Sequence, residues 1–249
     1  MTTRPITVAV IGAAGRMGRE VCRAVEAAED LALGPRIDVG DDIDEVAKAD
    51  VAVVFSVPDV VEEHVLTCLK HGVHAVVGTT GWTAERLARV DTAAAQAPGI
   101  GVLVAPNFAL GAVLLMRFAE QAAAHFESVE VVELHHPDKV DAPSGTARHT
   151  AERIAAARRA AGRGAVPDAT TTALEGARGA DVEGIRVHAV RLRGLVAHEE
   201  VLLGGPGEQL TIRHDSFDRA SFMPGVLLGI RRVAAHPGLR VGLEHYLDG

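Results

Sequence analysis

Between Glu133 and Ala147 the chain reads Glu-Leu-His-His-Pro-Asp-Lys-Val-Asp-Ala-Pro-Ser-Gly-Thr-Ala. Histidine exchanges protons near neutral pH, and lysine offers a compact positive charge to a carboxylate. One histidine of the pair His135 and His136, together with Lys139, is therefore a candidate for proton delivery, with Lys139 also suited to anion recognition. The run Ser128 to Leu134 has the pattern of a strand, and the Pro-Ser-Gly-Thr turn opens a helix at about Ser144. The cluster thus falls where a strand ends and a helix begins, the usual place for a small-molecule site in an α/β protein. If the strand persists through both histidines, His135 and His136 point to opposite faces and take different roles, one as proton shuttle and the other as anchor. Ser144, Gly145 and Thr146 place N–H groups and a hydroxyl at a helix N-terminus, which favours an anion. Many charged runs are simply solvated loops, but a histidine pair joined to Pro-Ser-Gly-Thr-Ala argues against that reading. A metal held by His135, His136, Asp138 and Asp141 is chemically conceivable; Lys139 in their midst repels a cation, and no metal is expected.

These residues need a scaffold, and the first hundred positions supply a regular one. Strands are expected over residues 6–12, 31–37, 51–55, 74–77 and 100–104, and helices over 16–28, 60–69 and 84–95. Strand and helix alternate, and the strand at 51–55 is apolar throughout, as when helices cover both faces of a parallel sheet. After Asn107 the rhythm changes: a helix over 110–124, the strand 128–135 and a helix over 144–161. Residues 162–184, rich in Gly, Ala and Thr, read as a long loop. Runs at 185–193, 196–203 and 209–214 look like neighbouring strands of a second sheet, and residues 222–234 form a closing helix. The fold class is α/β: a Rossmann-like doubly wound parallel sheet, plus a second α/β domain with a mixed sheet. Residues 1–109 and 219–249 make a dinucleotide-binding domain, and 110–218 a substrate-binding and oligomerisation domain.

The first strand ends in Gly12-Ala13-Ala14-Gly15-Arg16-Met17-Gly18, spaced GxxGxxG instead of the commoner GxGxxG. Glycines there permit a tight turn and close backbone approach, and the helix N-terminus behind them suits a pyrophosphate. Asp38, just past the second strand, is placed to accept from an adenosine ribose and favour NADH; Arg16 and Arg36 would instead neutralise the 2′-phosphate of NADPH. Gly78-Thr79-Thr80-Gly81 and Ala105-Pro106-Asn107-Phe108 follow the fourth and fifth strands on the same edge, where ligands of open α/β sheets sit. Asn107 and Thr80 suit a carboxamide, and Phe108 an apolar ring face. Arg219, before the closing helix, is a further candidate cation.

Composition excludes several classes. With a formal charge of −8 and only 3% aromatic residues, the chain suits neither a nucleic-acid backbone nor an anionic membrane. The first apolar run is too short for a signal peptide, and none approaches a bilayer span. Cys22 and Cys68 lie in helices far apart and read as small buried residues, so a soluble cytoplasmic protein is expected.

The glycine loop, Gly-Thr-Thr-Gly, Ala-Pro-Asn-Phe and the histidine–lysine segment occur in one order, and in that order the chain resembles the dihydrodipicolinate reductase family over nearly its whole length. Ala105–Gly111 and the tail Thr211–Ser216 are most similar to its shorter, actinobacterial-type members. The resemblance implies reduction of 4-hydroxy-tetrahydrodipicolinate in diaminopimelate and lysine biosynthesis, with NADH, NADPH or both, by a homotetramer built through the second domain. It implies that His135 donates and accepts the proton, that Lys139 is a second donor, and that His136, Gly145 and Thr146 bind substrate. Gly12 to Met17, Gly78 to Thr80 and Ala105 to Phe108 would bind the cofactor. The alternatives are another NAD(P)-dependent amino-acid or semialdehyde dehydrogenase, or a catalytically silent nucleotide sensor.

Overall fold

The computed structural model describes residues 4–247. The chain gathers into two compact units, one formed by Met1–Ala109 with Arg219–Gly249 and the other by Leu110–Asp218.

The first unit carries β1 (Ile6–Ile11), β2 (Leu31–Ile37), β3 (Val51–Val54), β4 (His74–Val77) and β5 (Gly101–Val104), together with β11 (Gly238–Val241), the last strand of the chain. They form one sheet in the order β11-β5-β4-β3-β1-β2, and every pair is parallel. On one face Ala52, Val54, Ala75, Val77, Val102 and Val104 meet Val61, Val65 and Cys68 of α2 (Val61–Lys70) and Val90 of α3 (Ala84–Ala95). Helix α1 (Arg16–Glu26) buries Val21 and Val25, and α6 (Met223–Arg232) buries Val226 and Ile230 while Gly229 lies against Val76 and Leu103. Each such side chain contributes roughly 1.5–3 kcal/mol. The core is aliphatic because the chain has little else with which to build it. Sheet order reverses at β1, with β2 on one side and β3 on the other. That reversal opens the crevice where doubly wound sheets bind ligands.

A last strand and a 3-10 segment after β2 were among the elements of this unit not expected from sequence. Strand β11 is four residues long and half exposed, and it earns strand geometry only by pairing with β5, Gly238 opposite Gly101. A 3-10 segment spans Ile43–Lys48, its start held by the Asp42 carboxylate accepting from the Asp44 amide. The closing helix stops at Arg232 and tightens into a 3-10 turn over Val233–Ala235 ahead of Pro237, which cannot continue it.

The second unit holds α4 (Leu110–Ala123), β6 (Ser128–His135), α5 (Gly145–Ala160), β7 (Ala180–Val182), β8 (Ile185–Arg191), β9 (Ala197–Gly205) and β10 (Glu208–Ser216). Its mixed sheet runs β10-β9-β6-β8-β7, with β6 and β8 parallel and the other pairs antiparallel. This corrects the expectation that the 185–193 and 196–203 runs are neighbours, because β6 lies between them. After α5 the chain crosses over to lay β8 parallel on one flank of β6, and β9 then takes the other flank. Burial alternates along β6, with Val129, Val131 and Glu133 covered by the helices. In the long 162–184 stretch only Ala180–Val182 is strand, and Arg178 ties that stretch to Glu130 and Asp168.

Candidate active site

His135 ends β6, and Glu133 two residues earlier shares its face of the strand. The Glu133 carboxylate, fully buried, lies 2.5 Å from Nδ1 of His135. It also accepts both terminal nitrogens of Arg191 from β8 at 2.8 Å and the backbone amide of Ser144 at 3.0 Å. One carboxylate thus fixes the proposed proton shuttle, a neighbouring strand and the start of α5. Burial alone pushes the Glu133 acid up, but the hydrogen bonds from His135 and Arg191 together outweigh it and hold it at about 2. With Nδ1 taken, Nε2 is the ring nitrogen left to His135 for exchange. Sequence reasoning gave neither Glu133 nor Arg191 a role. The i, i+2 spacing of Glu133 and His135 was the available signal; Arg191 arrives only through strand pairing.

Ser144 is the N-cap of α5: its hydroxyl accepts from the Ala147 amide at 3.1 Å, and the residue is 2% exposed. Its amide and cap are thus committed to holding the turn. The Gly145 amide meets the Asp141 carboxylate at 3.2 Å, and Lys139 Nζ donates to the same group at 2.6 Å. An internal carboxylate therefore already occupies donors suited to an external one. A Cβ added at Gly145 would meet nothing within 4 Å, so the space on the side-chain side of this residue is open. His136 and Lys139 are half-buried, and the Lys139 amide donates to the His136 carbonyl at 3.2 Å, which closes the loop. Among the described residues no group of three or more metal-ligating side chains converges.

In the first unit the glycine loop turns through Gly12 at φ 82°, with the Phe55 carbonyl oxygen 2.4 Å from where its Cβ would stand. A Cβ at Gly18 would lie 2.1 Å from the Gly12 carbonyl oxygen, so glycine lets α1 sit down on the loop. Gly15 caps α1 with no side-chain hydrogen bond, leaving first-turn amides as donors. Asp38 accepts the Ala14 amide at 2.6 Å and the Val39 amide at 2.8 Å, and these bonds hold its carboxyl below the usual range. Uncapped amides, glycine-permitted approach and an acid at the loop make a donor and acceptor set that fits a dinucleotide. Arg16 is exposed on the first turn of α1 with Met17 half-buried beside it, whereas Arg36 pairs with Glu26.

The other two loops follow β4 and β5 as expected, but some side chains have structural duties. The Thr79 hydroxyl stitches to the Val54 and Ser56 carbonyls at 3.3 Å, while Thr80 is exposed. Asn107 Oδ1 accepts the Ala109 amide at 2.8 Å. Phe108 corrects the expectation of an available ring face: it is 3% exposed, with its ring 5.9 Å from that of Phe55. Ala105 is buried and Pro106 exposed. Arg219 lies exposed in a 3-10 turn, Arg219–Phe222, leading into α6. Among the described residues no helix is long and apolar enough to cross a membrane.

Known proteins match this chain over both units. The family model described as dihydrodipicolinate reductase, N-terminus, matches residues 6–108, and the C-terminus model matches 111–247. A 4-hydroxy-tetrahydrodipicolinate reductase of Streptomyces griseus is 62% identical over 98% of each chain. One of Beutenbergia cavernae is 64% identical over 98% of this chain and 99% of its own. Among solved structures, dipicolinate-bound dihydrodipicolinate reductase from Paenisporosarcina sp. TG-14 superposes with a TM-score of 0.84 at 41% identity, covering 98% of this chain and 100% of that one. A probable dehydrogenase from Thermotoga maritima, at 12% identity and a TM-score of 0.64, shares the fold alone. The chain belongs to the dihydrodipicolinate reductase family.

Proposed function

We propose that this chain reduces 4-hydroxy-tetrahydrodipicolinate to tetrahydrodipicolinate with NADH or NADPH, on the route to diaminopimelate and lysine. The observation that carries the reading is the convergence of Lys139 and the Gly145 amide on one carboxylate position, now filled by Asp141, with open space beside Gly145 and a histidine already held through Nδ1. Lys139, the amides of Gly145 and Thr146, and His136 would grip the substrate carboxylates, with Ser144 holding the turn in shape. The substrate must take over donors that now serve Asp141, so a charged carboxylate is exchanged for another at little electrostatic loss. The bound cofactor supplies a hydride to ring carbon. His135 Nε2 delivers the proton that completes the reduction, and Lys139 is the second donor.

Gly12, Ala13, Ala14, Gly15, Arg16 and Met17 would hold the dinucleotide phosphates. Gly78, Thr79, Thr80, Ala105, Pro106, Asn107 and Phe108 would line the nicotinamide half, mostly through backbone groups given the buried side chains of Thr79 and Phe108. Asp38 stands where its spare lone pairs would accept from a ribose hydroxyl, which suits NADH, and Arg16 remains for a 2′-phosphate. A homotetramer fits the second unit. Its helices pack on the Val129–Val131 face of the sheet, leaving Val132, Leu134 and Leu202 half-exposed on the other. A biosynthetic reductase drawing on the common nicotinamide pool would work in the cytoplasm.

The test is oxidation of NADH and NADPH with freshly generated substrate. Lys139→Ala and His135→Ala should each lower turnover by about 100-fold or more while the Kd for NADH stays nearly unchanged. Collapse of NADH binding would place these residues in the cofactor site or the fold. Sedimentation of the intact protein checks the tetramer.

A further inference from the structure

Beneath the proposed site, β6 and β9 bring two glutamates face to face. Glu133 stands opposite Glu199 in the register, on the helix-covered side of the sheet, and the two are 0% and 5% exposed. Their surroundings differ sharply. Every partner of Glu133 donates to it: the His135 ring, the Arg191 guanidinium and the Ser144 amide. Glu199 has Oε1 buried without a hydrogen-bond partner. Around it stand Glu133 on β6, His214 opposite it on β10, and Thr150 on α5. Gly111 at the start of α4 lies against the His214 ring, and burial holds that histidine toward its neutral form. Among the described residues no cation is paired with Glu199.

Two carboxylates side by side in a dry layer cannot both ionise when only one has cationic partners. The Thr150 hydroxyl lies 3.0 Å from the Thr146 carbonyl and also faces Glu199, where its bond favours the ionised acid. That single neutral partner stands against full burial, an adjacent carboxylate and an oxygen with no partner at all.

We propose that Glu133 and Glu199 form a positioning pair for the reaction: Glu133 keeps the one negative charge and locks Nδ1 of His135, while Glu199 keeps a proton and braces the first turn of α5 through Thr150. This rests on the reading of His135 as the proton donor. In agreement, burial outweighs the opposing hydrogen bond with Thr150 and, with the neighbouring Glu133 adding to it, pushes the Glu199 acid up to about 7. The pair serves both halves of the site. One member fixes the histidine, and the other fixes the turn that carries Gly145 and Thr146. Neither needs to touch substrate.

Infrared difference spectroscopy of the intact protein at pH 6 locates the proton. A protonated-acid C=O stretch should be present in the wild type and lost in Glu199→Gln. The same substitution should flatten the part of the stability–pH curve between about pH 4.5 and 7. Absence of that band, or wild-type and variant stability curves that run parallel, overturns the pair. Kinetically, Glu133→Gln leaves four N–H donors facing an amide that can satisfy few of them. It should lower kcat about 100-fold with KM for the dicarboxylate changed less than about threefold. The kcat–pH limb should also move to lower pH, since an imidazolium loses its neighbouring charge. A uniform loss of folded protein with no change in the limb would make Glu133 purely structural. If His135→Ala retains turnover, the reading of the site fails. If His135→Ala is inactive but Glu133→Gln leaves kcat and the limb in place, only the pair fails.

Discussion

Glu133 is a residue whose whole meaning lies in its neighbours. As a letter in the sequence it is one acid among 33 acidic residues, in front of a histidine pair. In the fold it is a fully buried anion with its lone pairs filled by four N–H donors of three residues, His135, Arg191 and Ser144. Its acid stands at about 2 when folded against an ordinary 4.5, so the folded state binds this proton less well than the unfolded chain does. The stability it contributes is present above pH 4.5 and fades as pH falls toward 2, by about 2 kcal/mol or more. Acid titration of the unfolding free energy should therefore lose a component in Glu133→Gln, which lacks that proton equilibrium. Lys139 differs in kind. Its type and spacing already announced an anion site, and the structure adds only that Asp141 fills the place beforehand.

At the scale of elements, the two helix N-termini were legible because their signals are local. Ser144 is a cap residue by type, and the glycines before α1 mark a turn. Which glycine carries the strictest demand was not legible, since it depends on how closely α1 settles onto its own loop. The structure singles out Gly18, whose missing Cβ makes room for a carbonyl oxygen. Gly18→Ala should destabilise the protein by about 2–4 kcal/mol in denaturant titration and weaken NADH binding with it. Gly145→Ala meets open space, so there the fold should hold and the dicarboxylate KM should rise instead. The short strand β11 escaped sequence reading for the converse reason: four half-exposed residues show no period, and only the edge of β5 gives them hydrogen-bond partners.

For the whole molecule, the chain leaves the first unit at Ala109 and returns to it at Arg219. The returning segment is integral to that unit. Helix α6 buries Met223, Val226 and Ile230, a Cβ at Gly225 would stand 2.0 Å from the Phe108 carbonyl oxygen, and β11 completes the sheet. Removal of residues 219–247 should thus abolish NADH binding and cooperative unfolding of the first unit together, measurable by fluorescence titration and thermal melts. The two family models divide the chain at 108 and 111, whereas compactness in space returns the tail to the first unit.

Sequence by itself determined the alternating strands and helices of the first unit, the glycine loop, and the histidine–lysine–serine–glycine–threonine cluster. All of these are written in short-range spacing, which is where side-chain type and backbone period act. Only the tertiary structure decided that β6 separates β8 from β9, that Phe108 turns inward, and that Arg191 and Glu199 join Glu133 under His135. Those facts depend on contacts between segments tens of residues apart. Pairing among strands of similar apolar character is chosen by how the whole sheet packs, and no local pattern records that choice.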